Sequence, residues 1–250
     1  MPSGPGGSGA PGAGATLPER DLVAEFAPIG ITAFTTTRAA GDFSMSQPAR
    51  LDENTARWHD LHLSLRPAAA GLASATQLHG VEIADHAGAW DGWLRVKGAD
   101  AHIVRRPGGS AAVTIADCVP VFVAHPAGLV ALVHAGWRGT AARLLPRILA
   151  RVAAASAGAG DLYVHLGPGI CGRCYEVGPD VYEQLTGWQT IRHRNVDLRA
   201  LLAEQARAEG VRHLSASVWC TRCDNDRYFS HRGGDLGRQV AVVVSRAPDG

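Results

Sequence analysis

The sequence has no apolar run approaching the roughly 20 residues a membrane-spanning helix needs, which excludes a helical span. It has no cluster of lysines and arginines either. Its 24 basic side chains stand against 23 acidic ones, for a formal net charge of +1, so the electrostatic footprint of a nucleic-acid binder is missing. Met1 to Thr16 is rich in Gly, Pro, Ser and Ala and carries no charged side chain. It lacks the basic start and apolar segment of a secretory leader, so it reads as a disordered tail, and the expected location is cytoplasmic. Cysteine is scarce: Cys118, Cys171, Cys174, Cys220 and Cys223. An odd number of cysteines without an export signal argues against a disulfide framework. It leaves thiols that act as ligands or nucleophiles, or that simply pack.

What is present suits a globular enzyme. The 250 residues are 46% apolar and 19% charged, enough for a sizeable core. Folded sequence is expected from residue 17 to 250 as a single domain. Strands are predicted at Ile31 to Thr36, Val81 to Ala84, Ala111 to Ile115, Val119 to Ala124, Leu129 to His134, Leu162 to Leu166, Ser215 to Trp219 and Gln239 to Val244. A helix is predicted over Asp52 to Leu63, with Asp52 as cap and Ala56, Leu61 and Leu63 on its apolar side. Another follows Thr140, where Pro146 either starts the helix proper or kinks it. The clearest helix is Val196 to Glu209, capped by Asp197 and closed by Gly210. Strands mixed with helices in this way indicate one α+β domain around a mixed sheet.

Cys118 follows one predicted strand and His134 ends another, so short connections can bring both to one end of a sheet. His79 lies in the turn Thr76-Gln77-Leu78-His79-Gly80. One thiolate and two imidazoles can hold zinc and leave a fourth position open, which would bring the pKa of a bound water to about 7. Spacing alone leaves open the plainer reading of packed cysteine and hydrogen-bonded histidines. The stretch Gly136-Trp137-Arg138-Gly139-Thr140 can open a helix, where free N–H groups favour anions and Arg138 can clamp a phosphate or carboxylate. It can equally be a simple turn. Cys171-x-x-Cys174 and Cys220-x-x-Cys223 are paired knuckles of the kind that make structural Cys₄ zinc sites. The gap between them exceeds the usual spacing, and the expectation is that Cys171 and Cys223 are not zinc ligands.

Several strings recur together: Thr76-Gln77-Leu78-His79-Gly80, Ala116-Asp117-Cys118, His134-Ala135-Gly136-Trp137-Arg138-Gly139, Leu166-Gly167-Pro168-Gly169-Ile170, Cys174-Tyr175-Glu176-Val177-Gly178 and Phe229-Ser230-His231-Arg232. This set, spread from about Thr35 to Val244, resembles the multicopper polyphenol oxidase or laccase-domain family, also described as purine nucleoside phosphorylases and peptidoglycan editing factors. The resemblance implies a layered α/β/β/α sandwich with mixed sheets, related to cysteine-hydrolase folds. It implies metal and catalytic roles for His79, Cys118 and His134, and substrate contacts for Arg38, Gln77 and Arg138. Three ligands are too few for the several coppers of a laccase, so zinc is the expected cofactor. Two departures stand out. The loop after Arg38 is shorter than in family members, and His231 stands where Tyr is common.

Four functions follow as expectations. The first is a zinc-dependent purine nucleoside phosphorylase acting on adenosine, inosine and methylthioadenosine, with adenosine deaminase activity. Its partners are a purine nucleoside and phosphate, with no nucleic acid and no membrane. The alternatives are a cysteine amidohydrolase acting on a peptidoglycan precursor with Cys118 as nucleophile and His134 as base, a copper-dependent polyphenol oxidase, and a non-enzymatic zinc-knuckle module.

Overall fold

The structure is a computed structural model that describes residues 16–66, 68–156 and 158–246. Apart from Thr16, the expected N-terminal tail lies outside the described residues. In chain order the strands are β1 (Arg20–Leu22), β2 (Thr32–Thr36), β3 (Gly71–Ala75), β4 (Ile83–His86), β5 (Gly92–Val96), β6 (Ala101–Val104), β7 (Gly109–Ile115), β8 (Val119–Ala124), β9 (Val130–Ala135), β10 (Tyr163–Leu166), β11 (Glu176–Val177), β12 (Arg194–Asn195), β13 (His213–Ala216) and β14 (Gln239–Val244). The α-helices are α1 (Leu51–Leu65), α2 (Trp137–Ala141), α3 (Leu144–Ala154), α4 (Pro179–Thr186) and α5 (Leu198–Ala208).

Two six-stranded mixed sheets carry the fold, in the orders β1-β2-β14-β7-β3-β5 and β13-β10-β8-β9-β6-β4. Their facing sides enclose a core that includes Val113, Ile115, Phe122, Leu132, Ala241 and Val243. The outer face of the first sheet is covered by α1, through Trp58, Leu61 and Leu65 against Phe34, Val240 and Val242. The outer face of the second is covered by α3 and α5, through Leu145, Ile148, Leu149 and Leu202 against Val121, Val123, Ala131 and Val133. The result is the layered α/β/β/α sandwich expected from the resemblance. It explains why the central strands read as unbroken apolar runs. In β14, Ala241 and Val243 enter one core while Val240, Val242 and Val244 enter the other, so both faces of the strand carry apolar side chains.

Pro146 sits in the first turn of α3, where its missing N–H has no intrahelical partner to lose, so it starts the helix and does not kink it. Asp197 caps α5 by accepting from the Arg199 and Ala200 N–H groups at 2.9 and 3.2 Å. Other expectations need correction. The helix α1 begins at Leu51 after a short 3₁₀ turn, so Asp52 lies in its first turn and caps nothing by side-chain hydrogen bond. Its buried face carries Trp58, Leu61 and Leu65, whereas Ala56 and Leu63 face solvent. The strand expected at Ser215 to Trp219 runs earlier, over His213–Ala216, because it pairs in parallel with Tyr163–Leu166; Val218 is left exposed. The strand expected at Val81 to Ala84 lies at Ile83–His86.

Leu132 is fully buried at the centre of the sheet-on-sheet core. Leu132→Ala should lower the unfolding free energy by about 2–5 kcal/mol, read from urea denaturation. A loss below about 1 kcal/mol would mean that this layer collapses around the cavity.

Candidate metal and catalytic site

The site lies where β7, β9 and the loop after β3 meet. Its organiser is Asp100, a fully buried carboxylate just before β6. It accepts hydrogen bonds from the backbone N–H of Leu78 at 3.2 Å, His79 at 2.9 Å and Gly80 at 2.8 Å, and from His134 Nδ1 at 2.9 Å. An ionised carboxylate only accepts, so His134 donates from Nδ1 and presents Nε2 to the cavity. The same carboxylate wraps the His79 turn, holding His79 in the left-handed region at φ 56°. Burial works against ionisation of Asp100, but the His134 and backbone donors outweigh it and hold the carboxyl below its ordinary range.

Cys118 is aimed by a second buried carboxylate. Asp117 turns sharply, with φ 83°. Its side chain accepts from Thr221 Oγ1 at 2.7 Å, Ser230 Oγ at 2.8 Å and the Arg232 N–H at 2.6 Å. Gly136 leaves room for the thiol, because a Cβ there would lie 2.9 Å from Cys118 Sγ. Burial opposes ionisation of Cys118, but the charge and hydrogen bond of His134, and then His79, override it and bring the thiol down to about 6. For His134, burial favours the neutral ring; the Cys118 thiolate and Asp100 reverse that and raise it to about 9. Without a metal the pair is therefore a thiolate beside an imidazolium.

One donor atom each from His79, Cys118 and His134 lie within 4.8 Å of one another. The set fits zinc: two imidazoles and one thiolate, His134 held through Nδ1 by a carboxylate, and an exposed His79 on the open side. These three candidate donors face a cavity of about 850 Å³.

The remaining sequence candidates divide. Arg138 lines the cavity with its guanidinium 4.4 Å from the centre of the Trp137 ring, and it makes no hydrogen bond or ion pair to another described side chain. Gln77 also lines the cavity, but both ends of its amide are engaged. Oε1 accepts from Thr114 N at 2.7 Å and Oγ1 at 2.8 Å, and Nε2 donates to the Thr114 carbonyl at 2.8 Å. Gln77 thus anchors the His79 turn to β7 from the cavity wall. Arg38 lies apart from these residues. It is absent from the cavity wall, its Nη2 pairs with Asp235 at 2.7 Å, its Nε donates to the Asn225 carbonyl at 2.9 Å, and it stacks over Phe229. Cys171 and Cys223, which were not expected as zinc ligands, stand beside Cys174 and Cys220. The sulfurs of Cys171, Cys174, Cys220 and Cys223 all gather within 4.8 Å of one another.

Sequence reasoning missed Asp100, Tyr175 and Arg232. Asp100 had no signal in a single chain, because its partners are 20 to 34 residues away. Tyr175 and Arg232 lay inside the quoted motifs, and both line the cavity. Tyr175 is pushed up to about 12, chiefly by burial and then by the nearby Cys118 charge, so it keeps its proton at neutral pH.

The fold is a mixed α/β sandwich, and its site sets a half-buried cysteine and a buried histidine beside a cavity lined by several arginines. Residues 34–246 match the family described as multi-copper polyphenol oxidoreductase laccase, and the chain belongs to that family. It is 33% identical over 231 residues to a purine nucleoside phosphorylase of Deinococcus radiodurans, covering 83% of this chain and 87% of that one. It is 35% identical over 167 residues to adenosine deaminase RL5 from an unknown prokaryotic organism, covering 60% and 64%. The fold matches the crystal structure of the Bacillus licheniformis hypothetical protein YfiH with a TM-score of 0.77 at 22% identity, over 91% of this chain and 96% of that one. The relatives' names support an enzyme. Among the described residues, no helix is long and apolar enough to cross a membrane.

The alkylation rate of chelator-treated protein by iodoacetamide should rise with pH and reach half its plateau near pH 6, since the thiolate reacts and Cys118 ionises about three units below its ordinary 9.0. Cys118 is identified by mass, and a midpoint near pH 9 would show that His134 does not stabilise its thiolate.

Proposed function

We propose that this protein is a zinc-dependent purine nucleoside phosphorylase that also deaminates adenosine, with its metal on His79, Cys118 and His134. The observation that carries the reading is the convergence of these three donors, within 4.8 Å of one another, on a large cavity that Arg138 and Arg232 also line. The names of the relatives, purine nucleoside phosphorylase and adenosine deaminase, support the same activities here. Adenosine, inosine and methylthioadenosine are the substrates this reading takes, and the cytoplasm is its setting.

In phosphorolysis a phosphate oxygen bonds to the anomeric carbon of the sugar, the bond to the purine nitrogen breaks, and the base leaves with a proton. In deamination, water replaces the amino group at C6 and ammonia departs. Zinc, when bound, supplies Lewis acidity to the reacting group. The side chains of the chain do the rest. Asp100 fixes the ring of His134 through Nδ1 and the turn of His79 through its backbone, so the donors are placed before substrate arrives. Arg138, resting on Trp137, offers a planar fork to phosphate. Arg232 lies over the Tyr175 ring, and one of its Nη atoms already donates to the Glu176 carbonyl at 2.9 Å, so it adds positive charge from a fixed position. Tyr175, protonated at neutral pH, can donate its hydroxyl hydrogen to substrate.

One observation favours a second reading. Cys118, His134 and Asp100 are arranged as nucleophile, base and orienting carboxylate, which suits a metal-independent cysteine amidohydrolase. Copper oxidation of phenols is less well supported, because three donors suit one ion.

Adenosine turnover with and without phosphate separates these readings. Cys118→Ala should lose the zinc of this site and both activities together. Arg138→Lys should lower phosphorolysis about tenfold to a hundredfold and deamination much less, since Lys cannot reproduce a bidentate fork. Equal losses in the two reactions would give Arg138 a structural task. Full activity of chelator-treated protein, with a covalent adduct trapped on Cys118, would favour the hydrolase.

A further inference from the structure

We infer that Cys171, Cys174, Cys220 and Cys223 form a second metal site, a closed tetrathiolate that holds one zinc ion and staples together the two loops behind Cys118. The four sulfurs lie within 4.8 Å of one another, with Cys174 Sγ 3.4 Å and Cys171 Sγ 4.0 Å from Cys223 Sγ. Four sulfurs at the usual zinc–sulfur distance of about 2.3 Å on a tetrahedron are separated by about 3.8 Å. A disulfide would bring two of them to about 2.05 Å.

The backbone is built as a ligand cage. Each Cys-x-x-Cys pair lies on a tight turn, closed by the Cys174 N–H to the Cys171 carbonyl at 3.0 Å and by the Asp224 N–H to the Cys220 carbonyl at 2.9 Å. Backbone N–H groups point at the sulfurs. Cys220 Sγ accepts from the N–H of Cys171 at 3.2 Å and of Cys223 at 3.4 Å. Such donors stabilise thiolates, the form a metal binds. Zinc would displace the thiol protons to solvent.

The location gives the site its task. Residues 217–238 form neither helix nor strand apart from one bridge at Cys220, a long run to hold in place by packing alone. That run contributes Thr221, Ser230 and Arg232 to the Asp117 carboxylate. The other loop contributes the Ile170 N–H, which donates to the Asp117 carbonyl at 2.9 Å, and the two loops join through the Thr221 N–H and the Gly169 carbonyl at 3.3 Å. A metal on the four cysteines would lock both loops at the residues next to these contacts, and thereby hold Asp117 and aim Cys118. Its contribution is to folding and positioning, with no open position for substrate.

The test uses the full-length Cys118→Ala variant, which removes the thiolate of the other site and is read without any activity. Purified under reducing conditions, it should retain one equivalent of zinc per chain. Exchange for Co²⁺ should give sulfur-to-cobalt charge-transfer absorption and the visible bands of a tetrahedral ion. Adding Cys171→Ser and Cys223→Ser to that background should abolish both signals. The inference is overturned if Cys118→Ala alone shows no charge-transfer band and its four thiols titrate without chelator. It is equally overturned if mass analysis finds the four cysteines joined as two disulfides. Because the first measurement needs no change at these cysteines, misfolding of the double variant leaves the test intact.

Discussion

The buried carboxylate of Asp100 is the constraint on which the rest of the site depends. An ionised group with no exposure to water is costly unless every lone pair finds a donor, and Asp100 finds four: three successive backbone N–H groups of the His79 turn and one imidazole N–H. Removing any element that supplies these donors leaves an uncompensated charge in the core. The turn, the strand end at His134 and the start of β6 therefore stand or fall together. The backbone contributes as well, since the His134 N–H donates to the Asp100 carbonyl at 2.7 Å. Two residues distant in sequence become neighbours whose reactive atoms are already oriented.

Asp117 repeats the device on the other side of Cys118. There the donors are two hydroxyls and a backbone N–H from a loop more than a hundred residues later. The two carboxylates differ in what they hold: Asp100 governs the histidines, Asp117 the cysteine. The oxygens of both carboxylates are engaged by these donors. The sandwich supplies the rigid frame. The core strands β7, β8, β9 and β14 are covered on both faces, so the strand ends that carry Asp117, Cys118 and His134 have little freedom to shift.

Much of this was legible in the chain and some was not, for definable reasons. The strands β7, β8, β9 and β14 stood out because burial on both faces forces continuous Val, Ile, Ala and Phe. The strand β3, Gly-Leu-Ala-Ser-Ala, gave no such signal, since small residues are used there to let Trp90 close against Gly71. His79, Cys118 and His134 could be grouped in the sequence because their motifs are long and rare, and the fold brings their donor atoms within 4.8 Å of one another. The pairing of Arg38 was not legible, because a charged residue in a motif does not announce its partner, and Asp235 lies 197 residues away. The bonds of Gln77 to Thr114 were hidden for the same reason: an amide that satisfies a strand end looks, in sequence, like one that binds a ligand. Asp100 escaped notice because its value is entirely tertiary.

The account rests on Asp100 organising the metal ligands, and zinc affinity measures that directly. Competition with a chromophoric chelator should show Asp100→Asn binding zinc at the His79, Cys118 and His134 site about ten- to a hundredfold more weakly than the unaltered protein. The reason is that the amide loses the charge that orients His134 and places an N–H₂ group against backbone donors. The Cys118→Ala variant serves as the reference for metal held elsewhere. An affinity for Asp100→Asn equal to that of the unaltered protein would contradict the account.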